Sequence, residues 1–263
     1  VIGTSFQAGG WEQLDSQSPA SKTRQLDALL GWCWEQFGAS AGIGTSFQPA
    51  GLVIIDHAVK AGLEFPVFTI DTGLLFPETV ALKERLESFF GISIESLQPE
   101  ESIEEQGSHH GPALWERDPN RCCALRKIAP LQKRLETLGA WITGLRRDQS
   151  NVRATTPLLD LIRLAGPLPK MVLKINPLAA WNRTEVWDYV NRNRIPINPL
   201  FASGYRSIGC QPCTNPVRAG QGERAGRWSK FEKTECGIHT CFGGSEPPSQ
   251  LPDPPNESLE NRE

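Results

Sequence analysis

Residues 26 to 190 alternate between apolar positions at helical spacing and short apolar runs edged by glycine, proline or polar residues, and such a chain has few ways to bury itself. Leu26, Leu29, Leu30, Cys33, Trp34 and Phe37 share one helical face, with Gly38 as a stop and Cys33 as plain core. Gly42 to Phe47 forms a short segment that runs through Gln48 and Pro49 into an apolar helix from Gly51 to Ala61. Pro66 to Ile70 reads as a strand, Pro77 to Phe90 as a helix with proline in its first turn, and Ile92 to Leu97 as another strand. The pattern loosens between Gln98 and Asn120, where an exposed connection is expected. Arg121 to Leu138 has helical character that Pro130 should kink or divide. Trp141 to Gly144 and Met171 to Ile175 supply further strands, separated by a polar run from Leu145 to Thr156. Asn182 with Glu185 makes a capping box for the helix carrying Val186, Trp187, Tyr189 and Val190. The alternation implies right-handed crossovers and an α/β fold, a mostly parallel sheet with helices on both faces.

With 263 residues, 39% of them hydrophobic and 22% charged, the chain can bury a full core, which excludes miniproteins held by disulfides. No apolar run approaches the roughly 18 residues of a membrane span, and the first ten residues carry no secretory pattern. The net charge of −3 argues against a wholly basic nucleic-acid binder. Seven cysteines, an odd number that includes an adjacent pair, make a poor secreted framework, so a reducing cytoplasmic setting is expected. The boundaries expected are an N-terminal extension over 1–21, a folded domain over 22–242 with a mobile catalytic segment near 228–242, and a disordered proline-rich tail over 243–263.

In an open parallel sheet, ligands bind outside the carboxyl ends of the strands. Three such ends carry Thr45-Ser46-Phe47-Gln48, Asp71-Thr72-Gly73 and Gly144-Leu145-Arg146-Arg147-Asp148-Gln149-Ser150. Their hydroxyls, glycines, carboxylate and guanidiniums suit a nucleotide with an anionic end; separately they read as a turn tripeptide and a solvated arginine pair. Cys122-Cys123 and Cys210-Gln211-Pro212-Cys213 offer four thiols in two pairs. Neighbours on a helix project about 100° apart, a splay that suits a polynuclear cluster better than one tetrahedral zinc, although a structural Cys₄ zinc site remains the competing reading. Lys127 lies four residues past Cys123, on the same helical face. Arg206, Arg218, Arg224, Arg227, Lys230 and Lys233 oppose only Glu223 and Glu232, a local basic patch in a glycine-rich setting that favours a compact anion. Beyond it stands Glu235-Cys236-Gly237-Ile238-His239. A thiol of pKa about 8.5 is only about 3% thiolate at pH 7, so a cysteine beside such cations is a candidate nucleophile.

Taken together, these segments resemble the assimilatory sulfonucleotide reductases, in the iron–sulfur branch acting on adenosine 5′-phosphosulfate. The resemblance rests on Ser46-Phe47-Gln48, Ile70-Asp71-Thr72-Gly73, Cys122-Cys123 with Arg126-Lys127, and Trp141 to Ser150. Lys174 to Leu178, Ser207 to Thr214, Glu223 to Trp228 and Glu235 to His239 complete it. It implies an adenine nucleotide alpha hydrolase-like fold with a modified PP-loop and a [4Fe–4S] cluster on Cys122, Cys123, Cys210 and Cys213. It places Ser46, Phe47, Gly144 and Arg153 around adenosine. Lys127, Arg224, Arg227 and His239, four cationic candidates, would surround the phosphosulfate. Cys236 would attack sulfur, release AMP and keep an S-sulfonate that thioredoxin or glutaredoxin resolves to sulfite, within sulfate assimilation and cysteine biosynthesis. The cluster is expected to position Lys127 and add positive field rather than carry electrons. Neither nucleic acid nor membrane is an implied partner, and self-association stays open. The chain departs from its ATP-binding kin in having Gly44-Thr45-Ser46-Phe47-Gln48 where a Ser-Gly-Gly-x-Asp-Ser phosphate loop would stand. It also carries an extra thiol, Cys241, either a resolving group or a bystander. Three alternatives remain: reduction of 3′-phosphoadenosine 5′-phosphosulfate, ATP-dependent adenylyl transfer, and a zinc-stapled nucleic-acid-binding module.

Overall fold

A computed structural model describes residues 18–166 and 170–242; the expected extension as far as residue 17, and the expected tail over 243–263, lie outside the described residues. Six strands, β1 Ala41–Thr45, β2 Val67–Ile70, β3 Ile94–Leu97, β4 Ala140–Thr143, β5 Leu159–Leu164 and β6 Lys170–Ile175, form one sheet in the order β3-β2-β1-β4-β6-β5. All neighbours are parallel except β5, which pairs antiparallel with β6. From β1 the chain builds outward through β2 to β3, then returns to lay β4 on the other side of β1. The order therefore reverses between β1 and β4, where an open sheet presents a crevice.

Helices cover both faces, as the alternation predicts. Helix α1 (Pro19–Phe37), α2 (Pro49–Lys60), α3 (Pro77–Phe90) and α8 (Arg183–Arg192) join Ile43, Ile142 and Ile175 in one core. Helix α2 is apolar nearly all round because it packs against β1 on one side and α1, α3 and α8 on others. Full burial of Leu52, Val53, Ile54 and Ile55 stabilises by about 1.5–3 kcal/mol each. The second face carries Phe68, Trp141 and Val172, covered by Leu131 and Leu135 of α7 (Ala129–Leu135) and by Phe242. Both ends of the 228–242 segment are thus anchored, with Trp228 and Phe242 buried. Among the described residues no helix is long and apolar enough to cross a membrane.

Strand β1 explains why glycine can sit in a central strand. A Cβ on Gly44 would stand 2.5 Å from the Trp141 indole nitrogen and 3.1 Å from the Phe68 ring. Those rings occupy the space, so Ile43 packs on one face while aromatics of β2 and β4 close over the other.

Three expectations change. The connection over 98–120 is not an open loop: it holds α4 (Ile103–His110), α5 (Leu114–Arg117) and the start of α6 (Pro119–Cys123). Helix α4 buries only Gln106, so it lacks an apolar stripe; a capping box between Ser102 and Glu105 starts it instead. Strand β5 lies within a stretch given no element, since Asp160 and Arg163 interrupt its apolar run, as suits an edge strand wet on one side. Pro130 divides its helix one turn upstream. Ala124–Ile128 forms a π-helical turn in which the Ala129 amide donates to the Ala124 carbonyl, a local widening that is frequent at functional sites. It turns Arg126 and Lys127 inward, both buried. The capping box at Asn182 and Glu185 is present as read.

Candidate functional site

The crevice at the β1–β4 reversal is lined by strand-end residues Thr45, Ser46, Thr72, Thr143 and Gly144, and roofed by Lys127, Arg153, Arg224, Arg227, Cys236 and His239. Most of the sequence-derived site residues therefore converge. At the end of β1, Phe47 has φ +56°, and its amide donates to the Thr45 hydroxyl at 3.0 Å. A phenylalanine in that region is strained by about 1–3 kcal/mol, and the twist leaves Ser46 and Gln48 on the crevice while Phe47 drops into the core. The Phe47 side chain, expected near adenosine, thus lies behind the crevice wall rather than on it. Gln48 lines the crevice and also clamps Ile208, accepting from its amide at 3.2 Å and donating to its carbonyl at 3.3 Å.

Other expected residues serve the walls. Asp71 accepts from the Gly73 amide at 3.0 Å, forming the turn after β2, and neither lines the crevice. Arg146 is buried between Asp148 and Glu223, 2.9 Å from each, and Arg147 donates to the Thr156 carbonyl at 2.9 Å. Carboxylates take up the Arg146 guanidinium, and neither arginine lines the crevice. Thr72 lines the crevice and bonds the Cys210 sulfur at 3.2 Å. Its carbonyl accepts from buried Arg126 at 2.5 Å, and Arg126 also reaches the Gln106 side chain and the Glu101 carbonyl. That tie links the β2 end, α4 and the π-helical turn.

Cys122, Cys123, Cys210 and Cys213 are free and buried beside the crevice. Burial, then the neighbouring thiols, pushes Cys122 up to about 12, and Cys213 is raised to about 11 by burial and Cys210. Burial would raise Cys210 too, but Lys127, the Thr72 hydroxyl and Arg227 outweigh it and hold it below its ordinary value. Four buried thiols that penalise one another's ionisation fit a site meant to enclose a positively charged core, which deprotonates its ligands. Among the described residues no three His, Cys, Asp or Glu side chains converge on a single metal ion. All four donors are thiols, the ligand type iron–sulfur clusters take, and a cubane would offer each thiolate a separate iron. The donor set fits a polynuclear iron–sulfur group.

The cations gather around Trp228, which is buried against Cys123, Cys210 and Cys213. Its ring lies 4.6 Å from Arg227, 5.4 Å from Lys233, 5.8 Å from Arg224 and 5.9 Å from Lys127. An aromatic face attracts cations without neutralising them, so Lys127 and Arg227, with no carboxylate ion pair among the described residues, keep their charge for a ligand. Burial pulls Lys127 down, yet Cys210, Cys123 and Cys236 more than offset that, and it remains charged. Trp228, Glu223 and Glu235 stand within the motifs, which alone give them no role in the site. Glu235 accepts from Arg153 at 2.8 and 2.7 Å and from Arg224 at 3.0 Å. Arg153, expected near adenosine, thus shares a carboxylate with Arg224 of the anion group. His239 stacks on Trp141 with ring centroids 5.4 Å apart. Burial and the charges of Lys174, Arg153 and Arg224 hold it well below its ordinary value. His239 lines the crevice as expected, and Arg153 joins Lys127, Arg224 and Arg227 there as a fourth lining cation.

Compared with known proteins, residues 42–216 match the family described as phosphoadenosine phosphosulfate reductase domain. A Salinibacter ruber protein named adenosine 5′-phosphosulfate reductase is 43% identical over 238 residues, covering 86% of this chain and 92% of that one. Bacillus subtilis adenosine 5′-phosphosulfate reductase 1 is 40% identical over 213 residues, covering 81% and 89%. Among solved structures, a phosphoadenylyl-sulfate reductase from Candida auris in a phosphate complex superposes with a TM-score of 0.64 at 28% identity, covering 79% of this chain and 94% of that one. Candida glabrata FMN adenylyltransferase with ATP reaches 0.53 at 13% identity over 80% and 71%, a likeness of fold alone.

Proposed function

From the premise that this chain belongs to the phosphoadenosine phosphosulfate reductase domain family, we propose that it reduces adenosine 5′-phosphosulfate to sulfite and AMP with thioredoxin or glutaredoxin as reductant. The observation that carries this reading is the meeting of Cys236 with Lys127, Arg224 and Arg227 in one crevice at the sheet's reversal point, beside the cysteine quartet. The names of the 38–43% identical relatives support the unphosphorylated ribose.

Ser46, Thr143 and Gly144, at the ends of β1 and β4, border the nucleoside. Arg153, Arg224, Arg227 and Lys127 take the phosphosulfate. The Cys236 thiolate attacks the sulfate sulfur; an S–S bond forms, the S–O bond to phosphate breaks, and AMP leaves with the bonding pair. Attack of an anion on an anion needs fixed positive charge, and the charge growing on the departing phosphate gains most from it. His239, on the crevice wall, offers its ring nitrogens for hydrogen bonding. A thiolate of the reductant then attacks the Cys236 sulfur, sulfite departs with the electron pair, and the mixed disulfide is resolved by the reductant's second thiol. Cys122, Cys123, Cys210 and Cys213 hold a [4Fe–4S] cluster, which when bound supplies local positive field and a rigid frame for the two cysteine loops. Lys127, reaching both Cys210 and Cys236 in its electrostatic contacts, relays that frame to the reacting thiol.

An anaerobic preparation assayed for iron, acid-labile sulfide and sulfite from each sulfonucleotide tests cofactor and substrate together. Expected are iron with sulfide, sulfite and AMP from adenosine 5′-phosphosulfate, and a sulfonate on Cys236 when reductant is withheld. Pyrophosphate released from ATP, equimolar zinc, a higher kcat/KM for the 3′-phosphorylated substrate, or undiminished turnover by Cys236→Ser would each overturn the reading.

A further inference from the structure

Of the four crevice cations, two already have a counterion. Among the described residues no carboxylate ion-pairs with Lys127 or Arg227, while Arg153 and Arg224 both grip Glu235, at 2.7 and 3.0 Å to the same oxygen. All three side chains are nearly buried, at 11 to 13% exposure. Two guanidiniums this close repel each other, and left unpaired at such burial they are costly. Burial, Arg153 and Arg227 bring Arg224 down to about 10, with Glu235 opposing them. The pair therefore demands an anion, and the one it holds is the residue next to the reacting thiol.

We propose that Glu235 is a positioning residue, a resident anion that docks the Cys236 segment on the Arg153–Arg224 pair until the charged end of a nucleotide takes its place. The inference rests on the function proposed above. Adjacent Cα atoms are about 3.8 Å apart, so whatever displaces Glu235 moves Cys236. Gly237, at φ +82°, follows immediately, and a glycine there lets the backbone turn. The exchange is nearly balanced: substrate oxygens replace the carboxylate on the arginines, and Glu235 regains water. Arrival of the anion and freedom of the nucleophile become one event, and the thiol is docked while there is nothing to attack.

ADP is a suitable probe, since its terminal phosphate stands where the sulfate would and offers no sulfur to the thiol. With the cluster-loaded protein, ADP binding is measured by calorimetry and Cys236 alkylation by iodoacetamide is followed by peptide mass spectrometry. In wild type, ADP should accelerate alkylation. Glu235→Gln should bind ADP at least about ten-fold tighter, because a competing charge pair is gone, and should alkylate at a fast rate that ADP no longer changes. Unaltered ADP affinity in Glu235→Gln overturns the proposal, as does wild-type alkylation that ADP leaves unchanged or slows; the second readout needs no variant. Arg224→Ala separates the two readings. If it weakens ADP binding while Glu235→Gln does not alter it, the resident anion fails and the anion crevice stands. If ADP ignores Arg224 as well, both fail.

Discussion

Replacing Gly209 with alanine asks whether Arg227 is held where the crevice needs it. A Cβ at Gly209 would stand 2.2 Å from one terminal nitrogen of Arg227, 2.4 Å from its Cζ and 2.8 Å from the other nitrogen. Non-bonded contact lies near 3.5 Å, so the guanidinium must retreat by about 1 Å or more. The obstructing atoms end a flexible side chain, and Gly209 is not among the glycines at positive φ, so the backbone accepts alanine. The losses are a 3.4 Å contact with the Ser207 hydroxyl and the seat 4.6 Å over Trp228, together about 1 kcal/mol of stability. Catalysis should suffer more, because a misplacement of about 1 Å costs about 100-fold, or roughly 2.7 kcal/mol of barrier. Sulfite release measured as kcat/KM, with melting temperature and iron content on the same preparation, reads both quantities. Gly209→Ala should lower kcat/KM about 100-fold at unchanged iron, and should have no further effect in an Arg227→Ala background. An equal loss in both backgrounds, or full activity, would refute the reasoning.

Lys174 is buried, and burial, opposed by Asp160, brings it down to about 8 from 10.5. Between those values the unfolded chain holds the extra proton, so stability falls as pH drops through the window, by about 3 kcal/mol once the lysine is charged in both states. Urea unfolding of wild type and Lys174→Met at several pH values should show a difference that closes as pH rises from 8 toward 10.5; a constant difference contradicts the assignment. Arg126→Lys cannot span the Thr72 and Glu101 carbonyls and the Gln106 side chain, and should destabilise by about 2–3 kcal/mol. Iron should fall with it, because Thr72 holds Cys210; an unchanged melting temperature with full iron would show that the tie contributes nothing.

Much of this protein is legible in local patterns. Helix α3 begins where its proline predicts, because helix starts are decided by residues within one turn, and a left-handed Gly91 ends it. The cysteine pairs and Lys127 are readable for a similar reason: their chemistry is in the residue types and spacing. Helix α4 escaped because its signal is the cap at Ser102 and not an apolar stripe, and β5 because an edge strand tolerates charge. In the site, the motif containing Glu235 was visible without its role, since its partners lie 82 and 11 residues away.

Periodicity, caps and reactive side chains were written into the chain itself, and they suffice for a parallel α/β sheet, a cysteine quartet and a basic, thiol-bearing end. The tertiary structure alone decided that Phe47 turns into the core, that Arg146 and Arg147 serve the walls, that His239 stacks on Trp141 and that Glu235 sits on the arginine pair. These outcomes depend on burial and on charges brought together from distant segments, and no local pattern encodes either.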